Sequence, residues 1–267
     1  MTEHPEGSGY GGGHMAFLQL IWGDGFLSPG GFEEVERVLA GVDLEGKRVL
    51  DIGCGLGGID RLIAERFPVA QVVGIDVEEA LIDEARRKGE GGAVAGRIAF
   101  ELVAPGPLPF PDGSFDVVFS KDSILHVPDK DAFAADAYRL LKPGGVLAVS
   151  DWLTGKEGEP TPEMQCYLDA EGLGFVMATV ARYTQALEEA GFVDIGTTDR
   201  NAWYRDVALK EQEDLDGPLR ETAIAMTDEA FIKSQLEVWR TMQVVLDSGE
   251  LRPTHIRARK PATGAVA

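Results

Sequence analysis

At 267 residues, 44% hydrophobic and 26% charged, the chain has the composition of a folded globular protein long enough to bury one large core. Its formal net charge of −20 argues against a nucleic-acid backbone or an anionic membrane as the main partner. Two cysteines, Cys54 and Cys166, are too few and too far apart for a disulfide framework or a CxxC zinc site, which fits a reduced, cytoplasmic compartment.

Residues 1–13 are glycine-rich and polar, with too little apolar surface to order themselves and without the basic-then-apolar order of a signal peptide. No apolar run in the chain reaches membrane-spanning length. Residues 15–22 are strongly apolar and predict a short helix; 23–31 read as a loop; Val35, Val38 and Leu39 among acids predict an amphipathic helix over 32–39. A strand ending at Asp51-Ile52, a glycine turn and a helix from about Ile59 to Phe67 come next. Strands at 72–76, 97–103, 115–120 and 146–150 then alternate with helices at 79–88 and 130–141, the last halted by Lys142-Pro143-Gly144-Gly145. Beyond a polar loop at 154–161 lie a helix over 183–190, a strand over 192–198, a mostly helical stretch over 202–247 and a strand over 254–260. This order predicts an α/β fold, a doubly wound, Rossmann-like, mostly parallel sheet with ligands at the carboxyl ends of its strands. The core is expected at 43–200, an N-terminal lid at 1–42, a helical cap at 201–253, and a final core strand and tail at 254–267.

Gly53, Gly55 and Gly58 have dinucleotide-fingerprint spacing, which alone does not name a ligand. Asp51 separates the candidates, because a carboxylate there disfavours a pyrophosphate and suits the ammonium and sulfonium of S-adenosylmethionine. Asp76, ending the second strand with Val77 after it, suits a ribose diol, which both ligand types possess. Lys121-Asp122 and Asp151-Trp152 fall at the same strand ends and should converge on one cleft. A helical turn after the fourth strand would set Asp122 and His126 four apart on one face, with His126 suited to take a proton near neutral pH. No carboxylate and histidine cluster has metal-ligand spacing, so no metal is expected. A NAD-binding oxidoreductase and a catalytically silent adenosylmethionine sensor remain as other classes.

Tyr10, residues 21–31, Val49-Leu50-Asp51-Ile52-Gly53 and residues 120–126 resemble the class I adenosylmethionine-dependent methyltransferases, and among them the phosphoethanolamine N-methyltransferases. The likeness extends through 141–145, Asp151 and the C-terminal helical insert. It implies that Tyr10 and His126 form a dyad closing over both ligands. It also implies that Ser28, Asp51, Gly53, Gly55, Asp76 and Val77 hold the cofactor, with Asp122 at the junction of the two sites. Departures bear on the acceptor. The family's phosphate-clamping Arg and Tyr fall at Leu173 and Phe175, its clamping Lys near Gly249, its Tyr after the fifth strand's acid at Trp152, and its adenine-binding Asp near Ala104. The expected acceptor is therefore a small amine or amino acid without a phosphate, facing Trp152, Phe175, Trp203 and Trp239. S- or O-methylation of a small zwitterion, or phosphoethanolamine methylation itself, are the alternatives.

Overall fold

The computed structural model describes residues 12–262, so the expected role of Tyr10 lies outside the described residues. In chain order the elements are α1 (Gly12–Trp22), α2 (Gly31–Leu39), β1 (Arg48–Ile52), α3 (Gly58–Arg66), β2 (Gln71–Asp76), α4 (Glu79–Gly89) and β3 (Ile98–Leu102). They continue with β4 (Phe115–Lys121), α5 (Lys130–Leu140), β5 (Leu141–Thr154), α6 (Pro162–Glu171), α7 (Val180–Ala190) and β6 (Val193–Asp199). Last come α8 (Asn201–Asp216), α9 (Arg220–Met226), α10 (Glu229–Ser248) and β7 (Leu251–Arg259).

The strands form one sheet in the order β3-β2-β1-β4-β5-β7-β6, with β7 antiparallel to both neighbours and the remaining pairs parallel. Strand periodicity sorts neighbouring residues onto opposite faces. Val49, Val72, Val117 and Ala148 pack under α2 and α3, whereas Leu50, Val73, Val118 and Leu147 pack under α5 and α7. Both faces are covered, which is why these strands read as nearly continuous apolar runs. The strand order reverses between β1 and β4, and a crevice opens beyond their carboxyl ends. Over that crevice α1, α6, α8, α9 and α10 share a separate apolar cluster, with Phe17, Tyr167, Tyr204 and Trp239 among its buried members.

Two elements depart from the sequence expectation. β5 does not begin after the Lys142–Gly145 stretch but runs through it, because Leu141 already pairs with Phe115. The extra length is absorbed by a register shift between Phe115 and Val117, and Gly144 takes a left-handed φ of 81°. Helix α6 was not anticipated, although its start is signalled by Thr161, whose hydroxyl accepts from Met164 N at 3.1 Å, followed by Pro162 in the first turn.

Glu34 on α2 fastens the N-terminal helices to the far strands. It is fully buried and accepts hydrogen bonds from Arg200 (2.7 and 3.0 Å), with His255 Nε2 at 2.6 Å. Burial alone would raise its pKa, but the bonds to His255 and Arg200 hold it at about 2. A depressed carboxylate contributes stability that is present above the ordinary glutamate range and lost as pH falls from about 4.5 toward 2. Glu34→Ala should cost about 3–5 kcal/mol in urea unfolding at pH 7, since Arg200 is left buried without its partner. Glu34→Gln should flatten the acid limb of stability between those pH values. Wild-type midpoints in both variants would show that the network carries no stability.

Candidate active site

The turn after β1 is fixed to β2 by backbone hydrogen bonds from Gly53 N and Cys54 N to Ile75 O (2.8 and 3.0 Å). Asp76 closes it from the other side, accepting from Gly55 N at 3.0 Å and Glu78 N at 3.1 Å. Gly53 has a φ of 79°, and a Cβ there would stand 2.1 Å from Ser123 Oγ, so only glycine fits. Asp51 lies beneath this turn, buried, and neither carboxylate oxygen has a hydrogen-bond partner among the described residues. Burial, then the neighbouring Asp60 and Asp76, push its pKa well above the usual carboxylate range. Burial likewise raises Asp60 on α3 to about 7. A cationic group entering the crevice would relieve this crowding of like charge. Val77, half exposed, follows Asp76, and Leu102 pairs with Asp76 across β2 and β3, so both offer apolar surface next to it.

Residues 23–29 lie directly on the turn. Gly58 N donates to Gly25 O at 3.2 Å, and a Cβ on Gly55 would stand 3.1 Å from Leu27 Cδ1. The loop is held from below by the buried ammonium of Lys121, which donates to Ser28 Oγ (2.8 Å), Pro29 O (2.7 Å) and Asp122 Oδ2 (2.5 Å). From outside, Lys88 and Arg61 pair with Asp24. Asp122 itself has a φ of 55°, a left-handed conformation that prevents a helix from starting there. A short 3₁₀ turn at Ile124–His126 follows instead, so Asp122 and His126 do not share a helical face as the spacing suggested. They meet nonetheless at one cavity.

That cavity has a volume of about 140 Å³ and lies between α1, α6, α8, α10 and the ends of β4 and β5. Of the residues expected at the site, Ser28, Asp122, His126, Trp152, Phe175 and Trp239 line it. Trp203 does not. It packs edge-on to Tyr204 at 4.8 Å and under the Arg200 guanidinium at 4.7 Å, facing an outer groove. Adjacent helical residues point about 100° apart, and Tyr204 takes the inward direction. Asp151 is also absent from the lining; it is buried behind His126, accepting from Leu125 N at 3.1 Å. His126 stands at the rim with Phe175 at 5.3 Å, and partial desolvation, then Lys130, lower its pKa below the usual value.

Two acids that the sequence did not single out also line the cavity. Glu211 accepts from the indoles of Trp22 (2.9 Å) and Trp239 (3.1 Å), and Glu171 lies 3.4 Å from the Tyr167 hydroxyl. Burial raises each to about 7. No lysine or arginine is among the described lining residues. Lys121→Met would strand Asp122 and free residues 23–29, so it should cost about 3–5 kcal/mol in stability and accelerate hydrogen exchange in that loop. Exchange at the wild-type rate would show that the loop is held by other contacts.

The methyltransferase-domain family matches residues 50–149 of the chain. Phosphoethanolamine N-methyltransferase 1 of Arabidopsis thaliana is 36% identical over 194 residues, covering 72% of this chain and 38% of that protein. The chain thus spans well under half the length of this plant relative. 27-O-demethylrifamycin SV methyltransferase of Amycolatopsis mediterranei is 33% identical over 222 residues, 81% of this chain and 78% of that protein. The structure of Haemonchus contortus phosphoethanolamine N-methyltransferase 2 with phosphomonomethylethanolamine and S-adenosylhomocysteine superposes with a TM-score of 0.85 at 26% identity, covering 95% of this chain and 59% of that one. With the glycine turn, its two acids and the strand order, these likenesses show that the chain belongs to the class I S-adenosylmethionine-dependent methyltransferases.

Proposed function

We propose that the protein transfers a methyl group from S-adenosylmethionine to the nitrogen of a small cationic amine or amino acid that carries no phosphate. The observation that carries this reading is the charge of the cavity wall: Asp122, Glu171 and Glu211 face it, and no described lysine or arginine does. A buried phosphate would need donors and positive charge, whereas an ammonium finds carboxylates and the faces of Trp152, Phe175 and Trp239. The arginines nearest to the family's clamp are engaged elsewhere: Arg182 with Asp131, Arg252 with Asp199, and Arg257 with Val38 O. The volume suits one small molecule, being close to that of a cavity that holds benzene, roughly 150 Å³.

In this reading Asp51 answers the cofactor's ammonium, Asp76 its ribose diol, and Val77 with Leu102 an apolar edge of its adenine. Gly53 and Gly55 let the backbone come close, while Ser28 and Asp122 border both ligands. The cofactor, when bound, supplies an electrophilic sulfonium methyl. The chain's own work is to orient the acceptor, exclude water and remove one proton, since an amine attacks only in its neutral form. His126 takes that proton; its lowered pKa keeps it neutral and receptive at pH 7. Tyr10 is assigned as its partner, with the helices of 201–248 as the cap. The similarity to the Haemonchus structure over 95% of the chain favours a second reading, methylation of phosphoethanolamine, which the same assays address.

Asp76→Ala should weaken S-adenosylhomocysteine by about 1.5–3 kcal/mol for each charge-assisted hydrogen bond lost, read by calorimetric titration. Equal affinity would remove Asp76 from the ribose site. For the acceptor, a methyl-transfer panel should rank unphosphorylated amines and amino acids above phosphoethanolamine in kcat/KM; the opposite ranking overturns the reading. Because Glu171 and Glu211 gain charge as pH rises through about 7, the KM for a cationic acceptor should fall between pH 6 and 8. Glu171→Gln and Glu211→Gln should each raise that KM roughly 10–100-fold.

A further inference from the structure

We propose that Lys130 is the positioning residue of the site. Its buried ammonium gathers the carbonyls on either side of His126 and the carbonyl after Phe175, and so fixes the base against the acceptor wall. The three bonds run from Nζ to Ile124 O (2.8 Å), Val127 O (2.5 Å) and Val176 O (2.9 Å), one for each of its three N–H groups. Ile124 and Val127 bracket the 3₁₀ turn that ends in His126, and Val176 follows Phe175, whose ring meets the imidazole at 5.3 Å. The base and its aromatic neighbour are 49 residues apart in sequence, and Lys130 is where their backbones are tied.

Two further bonds complete the frame. Val176 N donates to Leu125 O at 2.8 Å, and Leu125 N donates to Asp151 Oδ1 at 3.1 Å. Asp151 is thus placed to balance the Lys130 charge, with Arg182 opposing it from α7. A buried ammonium is a costly way to fill space at the start of a helix, and an aliphatic side chain would pack there without that cost. What the ammonium supplies is a three-way junction of carbonyls that no apolar group can make. A placement error of about 1 Å in a catalytic group can cost on the order of 10²-fold in rate, and this junction sets the height of the His126 turn.

The charge acts on His126 as well. Lys130 opposes protonation of the imidazole, Asp76 favours it, and Asp122, Glu171 and Glu211 are the other acids lining the cavity. Removing the ammonium while keeping the chain length therefore has two separable consequences, a misplaced base and an imidazole that protonates more easily.

The inference rests on His126 being the base of the proposed reaction, and the test separates the two. Lys130→Met should lower kcat about 10–100-fold while leaving S-adenosylhomocysteine affinity unchanged by calorimetry. The His126 ring signal, titrated by NMR, should shift to a higher pKa, and Lys130→Arg should restore both kcat and the wild-type midpoint. Unchanged kcat in Lys130→Met, or a fall in kcat with His126 titrating as in wild type, would overturn the inference. If Lys130→Met does not fold, Lys130→Gln takes its place in both readouts. If His126→Ala turns over at the wild-type rate, the base assignment is what fails, and the NMR titration alone then decides whether Lys130 holds the turn.

Discussion

Negative charge gathered at one edge of the sheet is the constraint on which the site depends. Asp51, Asp76, Asp122 and Asp151 stand at the carboxyl ends of β1, β2, β4 and β5, because strands in parallel all deliver their last residues to the same side. Two buried ammonium groups answer them, Lys121 beside Asp122 and Lys130 near Asp151, and neither reaches Asp51 with a hydrogen bond. The balance is left short by at least one positive charge. Burial raises the pKa of Asp51, Asp60 and Asp151, the last to about 8, so this edge of the sheet favours protonated carboxyls. Carboxyls with raised values contribute stability that is complete at low pH and declines as pH rises through the neutral range, opposite in sign to Glu34.

Charged side chains fasten the helices to the sheet and to one another alongside their apolar packing. Lys121 holds the loop after α1 from below, Glu34 holds α2 to β7 and the start of α8, and Glu211 ties α1 to α10 through two indoles. Each of these side chains is charged and sits among apolar neighbours, so each bond is strong while made and expensive to lose. Among the described residues no helix is long and apolar enough to cross a membrane.

Much of this was legible in the sequence for identifiable reasons. The strands were bounded by turn residues and buried on both faces, and the glycine turn announced itself by spacing. Local backbone and side-chain phase were less visible. The Asp122 to His126 spacing suggested one helical face, but a left-handed φ at Asp122 sent the chain into a 3₁₀ turn. Glu211 reads as a solvated charge on a polar helix until it is placed with Tyr204, Ala208 and Leu215, buried residues at helical spacing on the same face. Glu171 has the same relation to Met164 and Tyr167 on α6. Trp203 and Tyr204 illustrate the same point, since one residue turns a helical side chain from groove to cavity.

The two halves of the site differ in what fixes them. The cofactor half is dictated by topology: strand ends, a turn that must be glycine, and acids whose positions follow from strand length. The sheet fixes where these groups stand, and the acids at its strand ends separate this turn from a dinucleotide site of the same architecture. The cavity is lined from α1, α6, α8 and α10, where backbone geometry leaves side-chain charge free to change. Where the resembled family's clamp would put an arginine and a tyrosine, this chain has Leu173 and Phe175 in the segment after α6, and no lysine or arginine is among the described lining residues of the cavity. Buried charge discriminates by several kcal/mol between ligands of opposite sign, more than the packing differences among small amines can supply. Shared architecture therefore constrains the methyl donor tightly and the acceptor hardly at all.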